Sequence, residues 1–491
     1  MTHHITLIQG DGIGPEVVGA TKAIIDASGV KIDWEVCEAG KEVFKKGIAS
    51  GVPQETIDSI KRTRLVLKGP LETPVGFGEK SANVTLRKLF ETYANIRPIK
   101  EFPGVDGPYK GKGIDFVIIR ENVEDLYAGI EYMSTPGVSK CLKLITRKGC
   151  EKIVRLAFEF VRAEGRKTLH CATKANIMKF SEGMLKKTFE EIAPQYPDIE
   201  AHHIIVDNCA HQLVRFPDKF EAIVTTNMNG DILSDLGSGL IGGLGLAPGA
   251  NIGDGIAIFE AVHGSAPKYA GLNTINPTAV LFSGVMMLRH IKEFEAANII
   301  EQAVLATLES GVMPQDIAAP GKGVSTTDFT QTIIKNFGKS SNAWKARDYK
   351  SLVIPKVDQR PDLVPCSSKK VVGVDIFLDS PLFGEALGSS LTHIAHASAF
   401  ELKMISNRGV QIYPSAGTSP DVVDLWSCRF MARSGACDQA QVRALVALIE
   451  EQHRWVNIEL LQTFDGKEAY SKAQGENQSA APAPQAAAAS R

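Results

Sequence analysis

From residue 3 to about residue 337, short Val/Ile-rich runs alternate with longer stretches whose apolar residues recur every three or four positions. Repeated alternation of these two patterns predicts an α/β core. Strands are expected at Leu65–Lys68, Asp115–Ile119, Thr168–Cys171, His203–Val206 and Ala222–Thr225. Residues 338–368 mix Ser, Pro and charge without a period, which predicts a linker. A second pattern fills 369–470. VVGVDIFL reads as a strand, GEALGSSLTHIAHA as a helix, and ELKMISNR, VQIYP and LWSCRFMA as further strand. DQAQVRALVALIEEQHRW follows as a helix, with Asp438 as N-cap and Val442, Leu445, Leu448 and Ile449 on one face, and VNIELLQTF closes the unit. The order βαββαβ predicts a split-βαβ, ferredoxin-like α+β module. The Ala/Pro-rich tail, 471–491, has no apolar face and is expected to be disordered.

Composition narrows the function. Over 491 residues, 54 basic and 56 acidic side chains leave a net charge of −2, so charge gives no reason to expect nucleic acid or an anionic membrane as partner. No run of apolar residues is long enough to span a bilayer, and the N-terminus enters a strand at once, unlike a signal peptide. Eight scattered cysteines without C-x-x-C pairs read as reduced thiols in a cytoplasm.

The glycine loop of IQGDGIGPEVV, residues 8–18, imitates a dinucleotide fingerprint. A fingerprint needs its third glycine three positions after the second, and Pro15 stands there. Strand, turn and helix are sound, the pyrophosphate signature fails, and the loop is expected to be structural, with Asp11 facing the active cleft.

Four other stretches carry chemistry. In EKSANVTLRKLFETYANIRPIK, Ser81 and Asn83 fall in the first turn of a helix, Arg87 follows, and Arg97 lies beyond it. Arg120 ends a strand a little further on. Each arginine alone is an ordinary surface cation, whereas three beside a helix N-terminus suit a substrate with several carboxylates. In NMNGDILSD, Asp231 and Asp235 are four apart on one helical face, and Asp207 follows the apolar run HHIIV. A lone D-x-x-x-D is an ordinary solvated face; with a buried helix start it fits Mg²⁺ or Mn²⁺, which take hard oxygen ligands. Lys174, after the strand TLHCA, pairs with Tyr127 as a proton-transfer system. The stretch GLAPGANIGDGIAIFEAVHGSAPKYAGLNTINP is too rich in small residues and proline for a packed helix and fits a backbone that approaches a cofactor closely. Lys268 and Tyr269 there offer a cation and a hydroxyl to a 2′-phosphate.

S-x-N-x-x-x-R, YANIRP, RENVEDLYAGIE, K-x-N-I-M-K, NMNGDILSD, LAPGANIG and HGSAPKYAG…INP together resemble the isocitrate and isopropylmalate β-decarboxylating dehydrogenases over residues 3–337. The Ser81/Asn83 pair is similar to the isocitrate branch, Lys268–Tyr269 to its NADP-dependent members, and the extra C-terminal module to its long bacterial form. The resemblance implies a large α/β domain from residues 1–92 and 242–337, and a small domain from 93–241 with a clasp at about 125–146. It implies that Ser81, Asn83, Arg87, Arg97 and Arg120 bind isocitrate, that Tyr127 and Lys174 handle protons, and that Asp207, Asp231 and Asp235 ligate Mg²⁺ or Mn²⁺. It places Lys68, Thr73 and Glu260 near the nicotinamide of NADP, and His263, Gly264, Lys268, Tyr269 and Asn276 on its adenine and ribose-phosphate side. It also implies a homodimer with shared sites, Lys174 and Asp207 reaching in from the second subunit.

One departure stands out. Family members using NADP add a Tyr and an Arg to the phosphate site, but DIAAPGKGVSTTDF has neither, so Lys322 is the candidate replacement and a weaker NADP preference is expected. Two alternatives fit the same fold: a sister dehydrogenase for isopropylmalate or homoisocitrate, against which Ser81 with Asn83 speaks, and a non-catalytic subunit, which should have lost ligands that are all present here. No catalytic cluster appears in 369–470, so an interaction role is expected there. Ser81→Asp should selectively lower kcat/KM for isocitrate by setting a negative charge against its carboxylate, and comparison with isopropylmalate and homoisocitrate checks this.

Overall fold

The computed structural model describes residues 2–72, 81–344, 347–415 and 420–473. The chain divides into two compact units, residues 1–128 with 143–363, and residues 129–142 with 364–491.

The first unit is built on one ten-stranded sheet, in the order Ile32–Cys37, His3–Ile8, Leu65–Lys68, Ala257–Ala261, Pro248–Ile252, Ala94–Lys100, Asp115–Glu121, Ala222–Thr225, Thr168–Thr173 and Glu200–Ile205. Both flanks are parallel, as helical crossovers require, while the middle strands, from Ala257–Ala261 to Asp115–Glu121, pair antiparallel. Pro248–Ile252 is buried at every position, as expected for a strand covered on both faces. The helix Thr278–His290 packs on these central strands, and Asn227–Leu240 and Arg147–Ala163 pack on Asp115–Glu121. Arg147–Ala163 starts where Thr146 accepts the Gly149 N–H at 3.0 Å, a cap worth about 1 kcal/mol.

Three local readings differ from expectation. Val206 begins a helix, Val206–Arg215, rather than ending a strand, so Asp207 sits in its first turn. Much of the glycine-rich stretch after Leu244 becomes the two central strands, because small residues let neighbouring strands close without side chains in the way; the loop proper spans only residues 262–277. In the 338–368 stretch, Lys350 donates its N–H to Ala163 at 3.1 Å, and Leu352 and Ile354 pack on the core of the first unit. All eight cysteines are free thiols.

The second unit contains an antiparallel sheet in the order Val410–Tyr413, Phe400–Asn407, Leu425–Ala432, Lys369–Asp379, Arg454–Phe464 and Lys467–Glu468. Helices Gly384–His396 and Gln439–Glu450 complete the expected interleaved βαβ units. Asp438 accepts the Gln441 N–H at 2.8 Å in a capping box, and Val442, Leu445 and Ile449 are buried below it. The hairpin Glu131–Thr135/Val138–Cys141 belongs to this unit: Thr135 donates to Asp424 at 2.8 Å, and the Lys140 ammonium lies 3.8 Å from the Phe377 ring centre. The expected disordered tail lies, from residue 474 on, outside the described residues.

His170 gives a pH test of the fold. Its ring lies 4.8 Å from Phe220 and 5.0 Å from His202, and burial, then His202, pushes its pKa down to about 4. The unfolded chain binds that proton from about pH 6.5, the folded chain only near 4, so stability falls as pH drops through this window. Urea unfolding of His170→Phe at pH 7, 5.5 and 4 should show a shallower loss than the parent.

Candidate active site

The antiparallel centre of the sheet brings four separate segments together. Gly10 and Gly12, in the N-terminal loop, have φ of 78° and 59° and no room for a side chain: a Cβ would lie 2.3 Å from the Pro70 carbonyl and 2.0 Å from that of Ser265. Ile13 N–H donates to Ser265 at 2.9 Å, so this loop seats the His263–Tyr269 segment. The Asp11 carboxylate accepts the backbone N–H of Glu72 at 2.7 Å and of Lys41 at 3.0 Å, which ties the loop to both segments.

A cavity of about 110 Å³ lies below. Asn83, Arg87 and Arg97 line one side, Glu260, His263 and Gly264 the other, so the substrate and cofactor candidates share one space. Four buried polar atoms of its lining, Asn83 Oδ1, Arg87 Nε, Asn95 Oδ1 and His263 Nε2, have no hydrogen-bond partner among the described residues. Buried polar atoms are almost always satisfied, and a cluster of exceptions around a cavity marks a place made for a polar ligand. Ser81 is the N-cap of the helix Ala82–Leu89, yet its side chain makes no capping bond, leaving the hydroxyl free.

Glu260 anchors the side of the cavity that also carries His263 and Gly264. Its carboxylate takes hydrogen bonds from the fully buried Lys68, from Asn251 at 2.7 Å and from Arg87 at 3.3 Å. Burial would raise its pKa, but Lys68 and Arg87 overcome this and hold it well below the usual carboxylate range. Asn251 also accepts from Asn95 and Asn122, each at 2.9 Å. Each of these three asparagines lies inside one of the motifs YANIRP, RENVEDLYAGIE and LAPGANIG, but single amides carry no spacing signal, and only the fold brings them together.

On the substrate side, Arg120 is buried and its Nε and Nη2 donate to Asn227 at 3.0 and 2.8 Å, while Nη1 pairs with Asp231. It can lie across the helix Asn227–Leu240 because residue 230 is glycine: a Cβ there would stand 2.6 Å from Arg120 Cγ. Arg97 reaches Asp231 at 3.2 Å, Ser234 at 2.5 Å and Asp235 at 3.6 Å. Burial, with Arg120 and Arg87 beside it, drops its pKa to about 10. Tyr127 donates to Asp231 at 2.5 Å. Burial would raise the Asp231 pKa, but Arg120, Tyr127 and Arg97 bring it below the ordinary value, whereas burial and the adjacent Asp231 push that of Asp235 up. A pair of neighbouring carboxylates, one of them disfavoured as an anion, suits a hard cation.

Within one chain, Lys174 pairs with Asp207 at 2.7 Å, and this pair is separate from the Tyr127–Asp231 bond. Among the described residues no three His, Cys, Asp or Glu side chains converge on a metal-sized point. Lys268, Tyr269 and Lys322 are exposed. Asn276 is buried, held by the Thr278 N–H at 3.0 Å and donating to Asp316 at 3.2 Å. Thr73 lies outside the described residues.

Residues 4–333 match the protein family described as isocitrate/isopropylmalate dehydrogenase, and residues 369–476 match that described as bacterial isocitrate dehydrogenase, C-terminal domain. The chain is 60% identical over 475 residues to the isocitrate dehydrogenase (NADP) of Thermus thermophilus, covering 96% of each. It is 40% identical over 482 residues to the isocitrate dehydrogenase (NADP) of Rickettsia conorii, covering 96% of this chain and 99% of that one. A crystal structure of a T. thermophilus protein matches with a TM-score of 0.93 at 60% identity over 96% of both chains.

Glu260→Gln tests the anchor. It strips the counter-charge from a buried lysine, which costs about 3–5 kcal/mol near neutral pH. Lys68 should then fold as the neutral amine while the unfolded chain stays protonated to about pH 10.4, so the stability of this variant should rise with pH from 7 to 10. Urea unfolding at several pH values checks both points.

Proposed function

Since the chain belongs to the isocitrate/isopropylmalate dehydrogenase family, we propose that it converts isocitrate to 2-oxoglutarate and CO₂ with reduction of NADP, using Mg²⁺ or Mn²⁺. The single observation that carries this reading is the cavity whose unpartnered polar atoms sit among Arg87, Arg97 and the Glu260 anchor. Arg87, Arg97 and Arg120 hold the substrate carboxylates, with Ser81 and Asn83 supplying neutral hydrogen bonds. Lys68, Thr73, Glu260, His263, Gly264, Lys268, Tyr269, Asn276 and Lys322 would hold NADP, which would supply the hydride acceptor. Asp231 and Asp235, with Asp207 from a second subunit, would hold the divalent ion, which would supply polarisation of the substrate oxygens.

The chain's own part is orientation and proton transfer. Arg120 packs with its guanidinium carbon 5.0 Å from the Tyr127 ring centre, which fixes that ring beside the carboxylate-binding arginines. Burial and the bond to Asp231 raise the pKa of Tyr127, so its hydroxyl keeps a proton at neutral pH. Tyr127 gives that proton to the carbon left by CO₂, and Lys174 from the second subunit restores it.

The assembly is a homodimer with shared sites. Met228 and Ile232, four apart on the helix that carries Asp231 and Asp235, are exposed, as are Ile177 and Phe180 near Lys174. Apolar side chains concentrated beside catalytic groups are the mark of a surface that another subunit covers. A cytoplasmic location agrees with the free thiols, and no helix among the described residues is long and apolar enough to cross a membrane. The C-terminal unit serves interaction rather than chemistry.

NADPH formation from isocitrate should require Mg²⁺ or Mn²⁺ and stop with chelator; folded protein that yields none under these conditions refutes the assignment. Lys268→Asp should lower kcat/KM for NADP by roughly tenfold or more, through like-charge repulsion of the 2′-phosphate, and favour NAD. Steady-state kinetics with both cofactors checks it.

A further inference from the structure

Beneath the proton-handling residues lies a charged cluster that the reaction itself does not use. Asp125 and Glu182 are both fully buried, and Lys143 stands between them, its Nζ 2.5 Å from Asp125 Oδ1 and 2.9 Å from Glu182 Oε1. The other hydrogen bonds of the two carboxylates come from backbone and side chains of the catalytic segments. Asp125 accepts the Leu126 N–H at 2.8 Å, directly before Tyr127, and the Met228 N–H at 3.0 Å, in the first turn of the helix that carries Asp231 and Asp235. Its own φ is 66°, an unfavourable conformation for a residue with a side chain, so surrounding bonds hold it there. Glu182 accepts the Lys174 N–H at 2.9 Å through Oε2, and the same oxygen takes the Asn229 amide at 3.3 Å, while Oε1 takes the Thr226 hydroxyl at 3.0 Å.

One triad thus ties three backbone segments: the one bearing Tyr127, the one bearing Lys174, and the start of the Asp231 helix. In a dimer with shared sites, Tyr127 with Asp231 serves one active site and Lys174 the other. We propose that Asp125, Lys143 and Glu182 are positioning residues that mechanically couple the two half-sites each chain contributes, so that a shift on one side is passed to the other. This rests on the shared-site reading above. Burying three charged groups is costly unless geometry and hydrogen bonds are both favourable, and a cluster so placed specifies one arrangement rather than simply adding stability.

The test uses mixed dimers with a single working site. Chains carrying Tyr127→Phe are paired with chains carrying Lys174→Met, so that only the site taking Tyr127 from the second chain and Lys174 from the first survives. Activity in this mixed dimer, absent from both parent homodimers, establishes sharing; without it, the shared-site premise fails and the coupling falls with it. Glu182→Gln is then added to either chain. Both placements should lower kcat tenfold or more, on the scale that small displacements of catalytic groups produce, with KM for isocitrate within about threefold because the carboxylate-binding arginines lie outside the triad. An effect from only one placement, or from neither, with complementation intact, overturns the coupling. Should the Glu182→Gln chain fail to assemble, Lys143→Arg, which keeps the charge but changes the donor's length and shape, makes the same comparison with the same expected and overturning results.

Discussion

The structure depends on concentrating positive charge where water is largely excluded. Arg87 and Arg97 line one cavity, Lys68 and Arg120 are buried beside them, and two carboxylates, Glu260 and Asp231, hold all four. Unpaired, these cations would repel one another and lose their hydration; fully neutralised, they would have nothing left for an anionic ligand. The arrangement keeps the balance between these limits. Glu260 is shared by Lys68 and Arg87, and Asp231 by Arg97, Arg120 and Tyr127. Burial first, and then repulsion from Arg120 and Arg87, lower the pKa of Arg97, a cost that an anionic ligand would relieve.

The sheet makes this possible. Parallel strands deliver their side chains from one end, but the antiparallel middle runs chain in both directions, so Arg97 from Ala94–Lys100, Arg120 from Asp115–Glu121 and Glu260 from Ala257–Ala261 meet although their strands point differently. Glycine and asparagine fill the places where larger side chains would break the approach: Gly230 gives room to Arg120, and Asn251 bridges Asn95, Asn122 and Glu260. A catalytic dehydrogenase of this kind needs its charged groups fixed before substrate arrives, and these contacts fix them without substrate present.

The candidate metal and proton-transfer residues fall into two groups. Asp231, Asp235 and Tyr127 gather on one side, while Lys174 and Asp207 form their own exposed pair. This separation within one chain is what the proposed shared-site dimer accounts for. The buried Asp125–Lys143–Glu182 triad joins the segments that bear Tyr127, Lys174 and the start of the Asp231 helix.

Much was legible in the residues alone. Periodicity located the strands and the two-unit organisation, the Asp438 cap was readable from its position before an apolar stripe, and Pro15 exposed the N-terminal loop as structural. These features depend on neighbours within a few residues, so a linear text carries them. Asp207 was misplaced by one element boundary, since apolar HHIIV continues a strand pattern until the backbone turns. The asparagine bridge, the role of Gly230 and the buried triad were invisible, because their partners are remote: Arg87 meets Glu260 across 173 positions, Lys68 meets it across 192, and Arg120 meets Asp231 across 111. The order of apolar and polar residues determined which segments fold and which chemical groups are present. Only the folded sheet decided which groups touch, how far each is buried and which carboxylate neutralises which cation, because those depend on three-dimensional distance and excluded water rather than on separation along the chain.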